Sequence, residues 1–398
     1  MRKREWKHLL TGILVLVMLL FIPYPAQAAG KVLNNGDDVI QSGNYVYYLA
    51  NHGDSKGNSY DLCRMKTNNK SKKVLDSWKG SAGALFLSGN KLYYQRGEFV
   101  YSSPLNKKKP KKIVEGELVG VYGSNIYYIS GTYGDMKLYT MKTNGTGKKK
   151  LLSSYEEIWS SGCDGEKLIV SAKVSSDKTD IVYVNMSKKM AKVLTSEGKK
   201  DDYVYSAGRA WDIYIYKNTL YYASGILQGT GFYFYGDFKK INLDGTGKET
   251  IDTDICPQAV MAHADFLLHT SGGYIYYYKD GVKKYSLSNG KVSSVPGSDY
   301  YNVAGKYVYY AKGDTGSSTV SIYRYNINSG EKKAKKVLTL KKNKKFTYSI
   351  SDIVQVGDYL YIDLDVRLFD KNTNWHGEYK GIETYKMSTS FKNVKKLN

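Results

Sequence analysis

Hydrophobic and polar residues along this chain alternate in short runs, with almost no stretch of helical period, so the chain reads as many short strands. One run recurs eight times: Gly, two variable residues, an aliphatic residue, then usually Tyr-Tyr. It stands at Gly43 to Tyr48, Gly89 to Tyr94, Gly123 to Tyr128, Gly165 to Val170, Lys217 to Tyr222, Gly272 to Tyr277, Gly305 to Tyr310 and Gly357 to Ile362. A recurrence every few tens of residues marks a repeat architecture.

Each repeat divides into four strands. The first lies before the Gly, as in Ala84-Leu-Phe-Leu-Ser88 or Asp212-Ile-Tyr-Ile-Tyr216. The Gly makes a tight turn at positive φ, and the Tyr-Tyr run is the second strand. A third strand, such as Leu138-Tyr-Thr-Met-Lys142, ends in Asn144-Gly145, Asp244-Gly245, Asn289-Gly290 or Ser329-Gly330, all hairpin chemistry. The fourth is short and rich in lysine, as in Lys111-Lys-Ile-Val114 and Lys335-Lys-Val-Leu338. Four antiparallel strands per unit predict an all-β protein, a β-propeller of eight four-stranded blades. Seven is the alternative count, because the fourth copy (Ile169-Val170) and the approach to the sixth are degenerate. Approximate blades are 31–76, 77–114, 115–152, 153–196, 197–252, 253–296, 297–340 and 341–398. Each blade keeps its own four strands, so the ring is expected to close by packing the first blade on the last.

The N-terminus predicts an export signal over residues 1–28. Arg2, Lys3, Arg4 and Lys7 precede an apolar run from Leu9 to Ile22, and Ala26-Gln27-Ala28 fits a cleavage site. An uncleaved anchor is the alternative. The expected location is outside the cytoplasm, secreted or bound to the cell wall. Cys63, Cys163 and Cys256 allow either one disulfide with one free thiol or three buried thiols. The net charge of +22 calls for anionic surroundings or protects exposed edges, since lysine on an outermost strand blocks edge-to-edge pairing.

Phe238 to Lys248, after Leu220-Tyr-Tyr, and Leu138 to Lys148, after Ile126-Tyr-Tyr, resemble the YWTD repeats of low-density-lipoprotein-receptor propellers. They resemble still more a bacterial, Tyr-rich family of secreted propellers of unknown function. The resemblance covers the whole exported chain and implies a propeller without an assigned reaction. It departs from the receptor pattern where Asp follows Trp-Thr; here Ser, Lys, Gln or Ala stand.

The sequence has no phosphate loop or paired-His zinc motif, and a chain without helical periods offers no strand-to-helix nucleophile elbow. An Asp opens the first strand in four repeats, Asp38, Asp212, Asp265 and Asp352. Innermost strands line the channel, so these carboxylates are expected to ring one mouth, with Trp159 and Trp211 beside them. That arrangement suits a small cation, calcium among them, or a sugar; a strand-opening turn in which Asp bonds its own backbone explains the same pattern. Two long segments, Ser224 to Asp237 and Asp365 to Lys380, read as recognition loops carrying Tyr233, Tyr235, Trp375 and His376. These features predict a non-catalytic binding or scaffold propeller at an anionic cell surface. Its expected partner is a wall polymer, a glycan or a surface protein, with no nucleic acid, and a monomer is expected. The alternative is a polysaccharide-active enzyme, a glycosidase or lyase, with acids at the channel mouth.

Overall fold

The structure is a computed structural model. It describes residues 39–52, 57–198, 208–228, 233–255, 268–279, 282–295, 303–304, 306–312, 318–326, 334–369 and 376–397. The segment assigned to export, Asp38, Asp265, Cys256 and Trp375 lie outside the described residues.

Eight four-stranded antiparallel sheets follow one another, each built from four consecutive strands. The chain is an eight-bladed β-propeller. The first strands are Val39–Ser42, Phe86–Ser88, Glu117–Tyr122, Ile158–Asp164, Arg209–Tyr216, Leu268–Ser271, Val303–Ala304 and Phe346–Val356, one in each of blades 1 to 8. Contacts between first strands link blades 2 to 8 in succession and join blade 8 to blade 1, while buried side chains pack blade 1 on blade 2. Among the described residues no strand is exchanged across the ends.

The repeated Gly explains the first hairpin. In blade 1, Ser42 pairs with Tyr45 across a two-residue turn, and Gly43 takes φ +55°. Gly89, Gly123, Gly165, Gly272 and Gly357 do the same, whereas Lys217 adopts φ +56° with a side chain in place, at a steric cost of roughly 1–2 kcal/mol.

The Tyr-Tyr run explains the core. Neighbouring residues on a strand face opposite sides of the sheet, so each pair reaches both adjacent blades. Tyr47 packs with Leu85, Leu87 and Leu92 of blade 2. Tyr48 packs with Val356, Tyr361 and Leu397 of blade 8. Tyr127 and Tyr128, Tyr221 and Tyr222, and Tyr276 and Tyr277 divide in the same way. The buried hydrophobic residues therefore form eight layers among the described residues, one per junction between blades. Each fully buried aromatic contributes roughly 1.5–3 kcal/mol.

Exposed lysines stand on the fourth strands: Lys73, Lys111, Lys112, Lys149, Lys150, Lys192, Lys335 and Lys396. They occupy the outer edges, where charge opposes strand addition. Two expected loops are instead hairpin strands. Thr219–Gln228 and Tyr233–Asn242 pair without a break from Thr219 opposite Asn242 to Gln228 opposite Tyr233. Tyr359–Phe369 and His376–Ser388 pair as far as Phe369 opposite His376. Aromatic and aliphatic residues in both segments favour the ladder, and their glycines had suggested loops. Cys63 and Cys163 are free thiols, and burial pushes them up to about 11 and about 12, which keeps them unreactive.

Candidate functional site

The first strands of blades 4 and 5 open with the same pattern, a charged residue two places before a tryptophan: Glu157 and Trp159, then Arg209 and Trp211. The two-residue spacing puts each charge and its indole on one face. Ser171 stitches the two blades together here. Its Oγ accepts from the Ala210 backbone N–H at 3.0 Å and lies 2.9 Å from Ser161 Oγ.

The result is a stacked cation. The Arg209 guanidinium lies 3.4 Å from the centre of the Trp159 ring and 5.7 Å from that of Trp211. Trp211 Nε1 donates to the Gly225 carbonyl at 3.0 Å, which fixes its indole. Burial lowers the pKa of Arg209, partly offset by Glu157 and Tyr133. Glu157 is itself buried and accepts from the Gly134 N–H at 3.0 Å. That bond anchors a turn whose Tyr133 is 90% exposed, the most exposed large apolar side chain described. Trp159 Nε1 is buried without a hydrogen-bond partner among the described residues. Among the same residues Arg209 donates no side-chain hydrogen bond. The mouth thus gathers a guanidinium stacked on one indole and close to a second, a phenol and one unanswered buried donor.

Trp159 and Trp211 are brought together. Asp212 and Asp352 are not: they stand on the first strands of blades 5 and 8. Asp212 lies within a bulge opposite the repeat's second strand, between Trp211 and Tyr214, and Asp352 closes one that starts at Ile350. Asp212 has φ +41°, and Asp352 Oδ1 accepts from the next backbone N–H at 2.7 Å. These are backbone duties of the bulged strand. No group of three His, Cys, Asp or Glu able to hold a metal occurs among the described residues. His376 lies on a strand of blade 8, and Tyr233 and Tyr235 on one of blade 5; their side chains lie outside the description. Arg209, Glu157 and Tyr133 were not anticipated. The repeated charge-x-Trp opening of two successive blades was the signal available for the first two.

A second feature lies in the channel wall of blades 2, 3 and 4: a cavity of about 510 Å³ bordered by Ala84, Phe86, Glu117, Leu118, Val119 and Ser160, among others. A His–Asp pair also occurs, His52 Nε2 with Asp61 Oδ2 at 3.1 Å. The two nearby serines bond elsewhere: Ser59 to the His52 carbonyl and Ser77 to Asp61. Neither hydroxyl reaches the imidazole, so among the described residues the pair is not completed to a nucleophilic triad.

No protein-family model matches the chain, and no curated protein matches it. Solved structures share its propeller. A prolyl endopeptidase is similar at 14% identity and a TM-score of 0.48, over 85% of this chain and 55% of that one. A puromycin-hydrolysing peptidase of Mycobacterium tuberculosis is similar at 9% identity and 0.48, over 85% and 61%. The propeller domain of the trilobed protease from Pyrococcus furiosus is similar at 12% identity and 0.42, over 88% and 98%. The chain spans 55% and 61% of the length of the first two. The likeness is one of fold. Because these propeller-bearing neighbours are peptidases, the expectation of a non-catalytic binding or scaffold protein is corrected. So are its alternative, a glycosidase or lyase, and the expectation that the chain has no enzymatic role.

Proposed function

We propose that this propeller handles polypeptide in the service of peptide hydrolysis, with Tyr133, Trp159, Arg209 and Trp211 gripping an extended segment at the channel mouth. The observation that supports the reading is Trp159 Nε1, a buried donor with no partner among the described residues, beneath the stacked Arg209 guanidinium. Buried donors without partners are costly. An extended polypeptide supplies carbonyl or carboxylate oxygens for them and apolar side chains for the indoles. Trp, Tyr and Arg are also the residue types that dominate binding between polypeptides. Peptide hydrolysis is the reaction class of the peptidase neighbours and enters here as part of the proposal. In the same reading the first 28 residues direct export, and the Tyr-rich repeats ally the chain with the secreted bacterial propellers they resemble. The basic start and the Ala26-Gln27-Ala28 signal support this.

The test uses the purified full chain and fluorescein-labelled, unfolded casein. Anisotropy reports binding, and acid-soluble fluorescence reports cleavage. Wild-type protein is expected to bind the casein, and Arg209→Met and Trp211→Ala to weaken binding at least about tenfold. Binding without fragments assigns hydrolysis to a partner chain. Neither binding nor cleavage overturns the reading.

A further inference from the structure

The cavity in the wall of blades 2 to 4 has a charge pattern opposite to that of the molecule. The chain carries 59 lysines and arginines and a net charge of +22. Yet the cavity lining contains one carboxylate, Glu117, and no Lys, Arg or His. Glu117 makes no side-chain hydrogen bond or ion pair among the described residues. Gln95, the neighbouring amide, is already committed. Its Oε1 accepts from the Leu118 N–H at 2.9 Å, and its Nε2 donates to the carbonyls of Gly97 and Gly116 at 2.6 and 3.0 Å. The remaining walls are largely apolar, with Phe86, Leu118, Val119, Ala82 and Ala84. At about 510 Å³ the space falls within the range of sites for small organic ligands.

We propose that this cavity binds an organic amine, its ammonium group paired with Glu117 and its apolar body laid on Phe86, Leu118 and Val119. A metal ion does not fit the donors: hard divalent cations take six or more oxygens, and one carboxylate stands here. An ammonium needs one anion and a few acceptors, and its hydrocarbon part gains from the apolar wall. Glu117 itself remains exposed at the cavity's opening, and the protein atoms around it raise its pKa by partial desolvation. The proposal is independent of polypeptide binding at the aromatic mouth on blades 4 and 5.

Calorimetric titration of the full chain with phenethylamine and with its neutral counterpart 2-phenylethanol tests it. The amine is expected to bind at least about tenfold more tightly than the alcohol. Glu117→Gln should abolish that preference while leaving the alcohol's affinity unchanged. Amine affinity should also fall as pH drops and Glu117 takes up its proton. Equal binding of the two probes by wild-type protein overturns the proposal, without recourse to any variant. No binding of the amine at millimolar concentration, or a preference that survives Glu117→Gln, overturns it as well.

Discussion

Two junctions of the ring solve the same problem with opposite chemistry. Between blades 4 and 5, a carboxylate on the outer strand collects donors from the next blade. Glu197, only 5% exposed, accepts from Tyr222 Oη at 2.8 Å, Lys239 Nζ at 2.8 Å and Lys248 Nζ at 2.9 Å. The same device holds blades 1 and 2, where Asp76 takes Tyr94 at 2.7 Å and Arg96 at 3.3 Å. It recurs between blades 5 and 6, where Asp252 takes Tyr277 at 2.8 Å and Lys279 at 2.6 Å. The closing junction, between blades 8 and 1, has no such acid among the described residues. Lysines donate to backbone carbonyls instead: Lys386 to Thr67 at 2.6 Å, Lys395 to Asn69 at 2.9 Å, and Lys72 to Leu397. Tyr48, in the position of Tyr94 and Tyr222, has its hydroxyl buried without a partner among the described residues.

The difference teaches where the ring is held by charge pairing and where by packing with a buried charge. At the carboxylate junction, burial pushes Glu197 up, but Lys239, Lys248 and Tyr222 outweigh it, and its pKa is lowered. At the closing junction, burial and the neighbouring Lys395 lower Lys386 to about 8. Its ammonium rests 4.0 Å from the Tyr359 ring centre. No described strand crosses the ends, and among the described residues closure is made by this junction's packing and its carbonyl bonds.

Removing the acid should produce the largest effect. Glu197→Ala removes the buried acceptor of Tyr222, of the half-buried Lys239 and of the exposed Lys248, and is expected to cost about 3 kcal/mol in urea unfolding. A loss no larger than that of an exposed-site control erases the contrast between junctions. Next comes pH. Lys386 binds its proton less tightly when folded than the ordinary value of 10.5, so the unfolded chain holds more protons between pH 8 and 10.5. Stability of the closing junction should therefore rise across that window, by at most about 3 kcal/mol. Lys386→Met should flatten the rise, as read by hydrogen exchange in blades 1 and 8. For Glu197 the sign is reversed. A lowered folded pKa gives stability that is full above the ordinary carboxylate range and lost as pH falls through the folded value. Exchange in blades 4 and 5 should accelerate in acid.

Smaller effects come from single hydroxyls at equivalent positions. Tyr222→Phe removes a bond to a carboxylate and should cost about 1.5–3 kcal/mol, whereas Tyr48→Phe removes a hydroxyl without a partner and should cost about zero or stabilise. Equal losses in thermal unfolding would show that the two tyrosines do the same job.

Much of this ring is legible in the sequence, for a local reason. Gly at a positive-φ turn, followed by alternating aliphatic and aromatic residues, specifies a hairpin without reference to the rest of the chain. Eight such hairpins with lysine-rich last strands leave few folds to consider. The locks between blades were not legible. Asp76 and Tyr94 are 18 residues apart, whereas Glu197 and Tyr222 are 25 apart, so no fixed spacing announces them. The candidate site divides in the same way. Trp159 and Trp211 stood out by residue type, but their partner Arg209 is one of many basic residues. Only the stitching of blades 4 and 5 through Ser171 lays it on both indoles. The four Asp residues show the converse. Asp212 and Asp352 each stand nine residues before the Tyr anchor because each serves a bulge, and they share a strand position without sharing a site.

The sequence by itself determined the all-β class, the repeat, the strand order within a blade and the lysine-bearing rim. Each is set by neighbours a few residues apart, through backbone conformation and alternation. Only the tertiary structure decided which tyrosine hydroxyl meets an acid, that the ring closes on lysines and carbonyls, that Arg209 lies between two indoles, and that Glu117 faces an apolar cavity without a base. Those outcomes depend on which blades become neighbours and on how much water the contact excludes, and the strength of a charge or a donor follows from that exclusion.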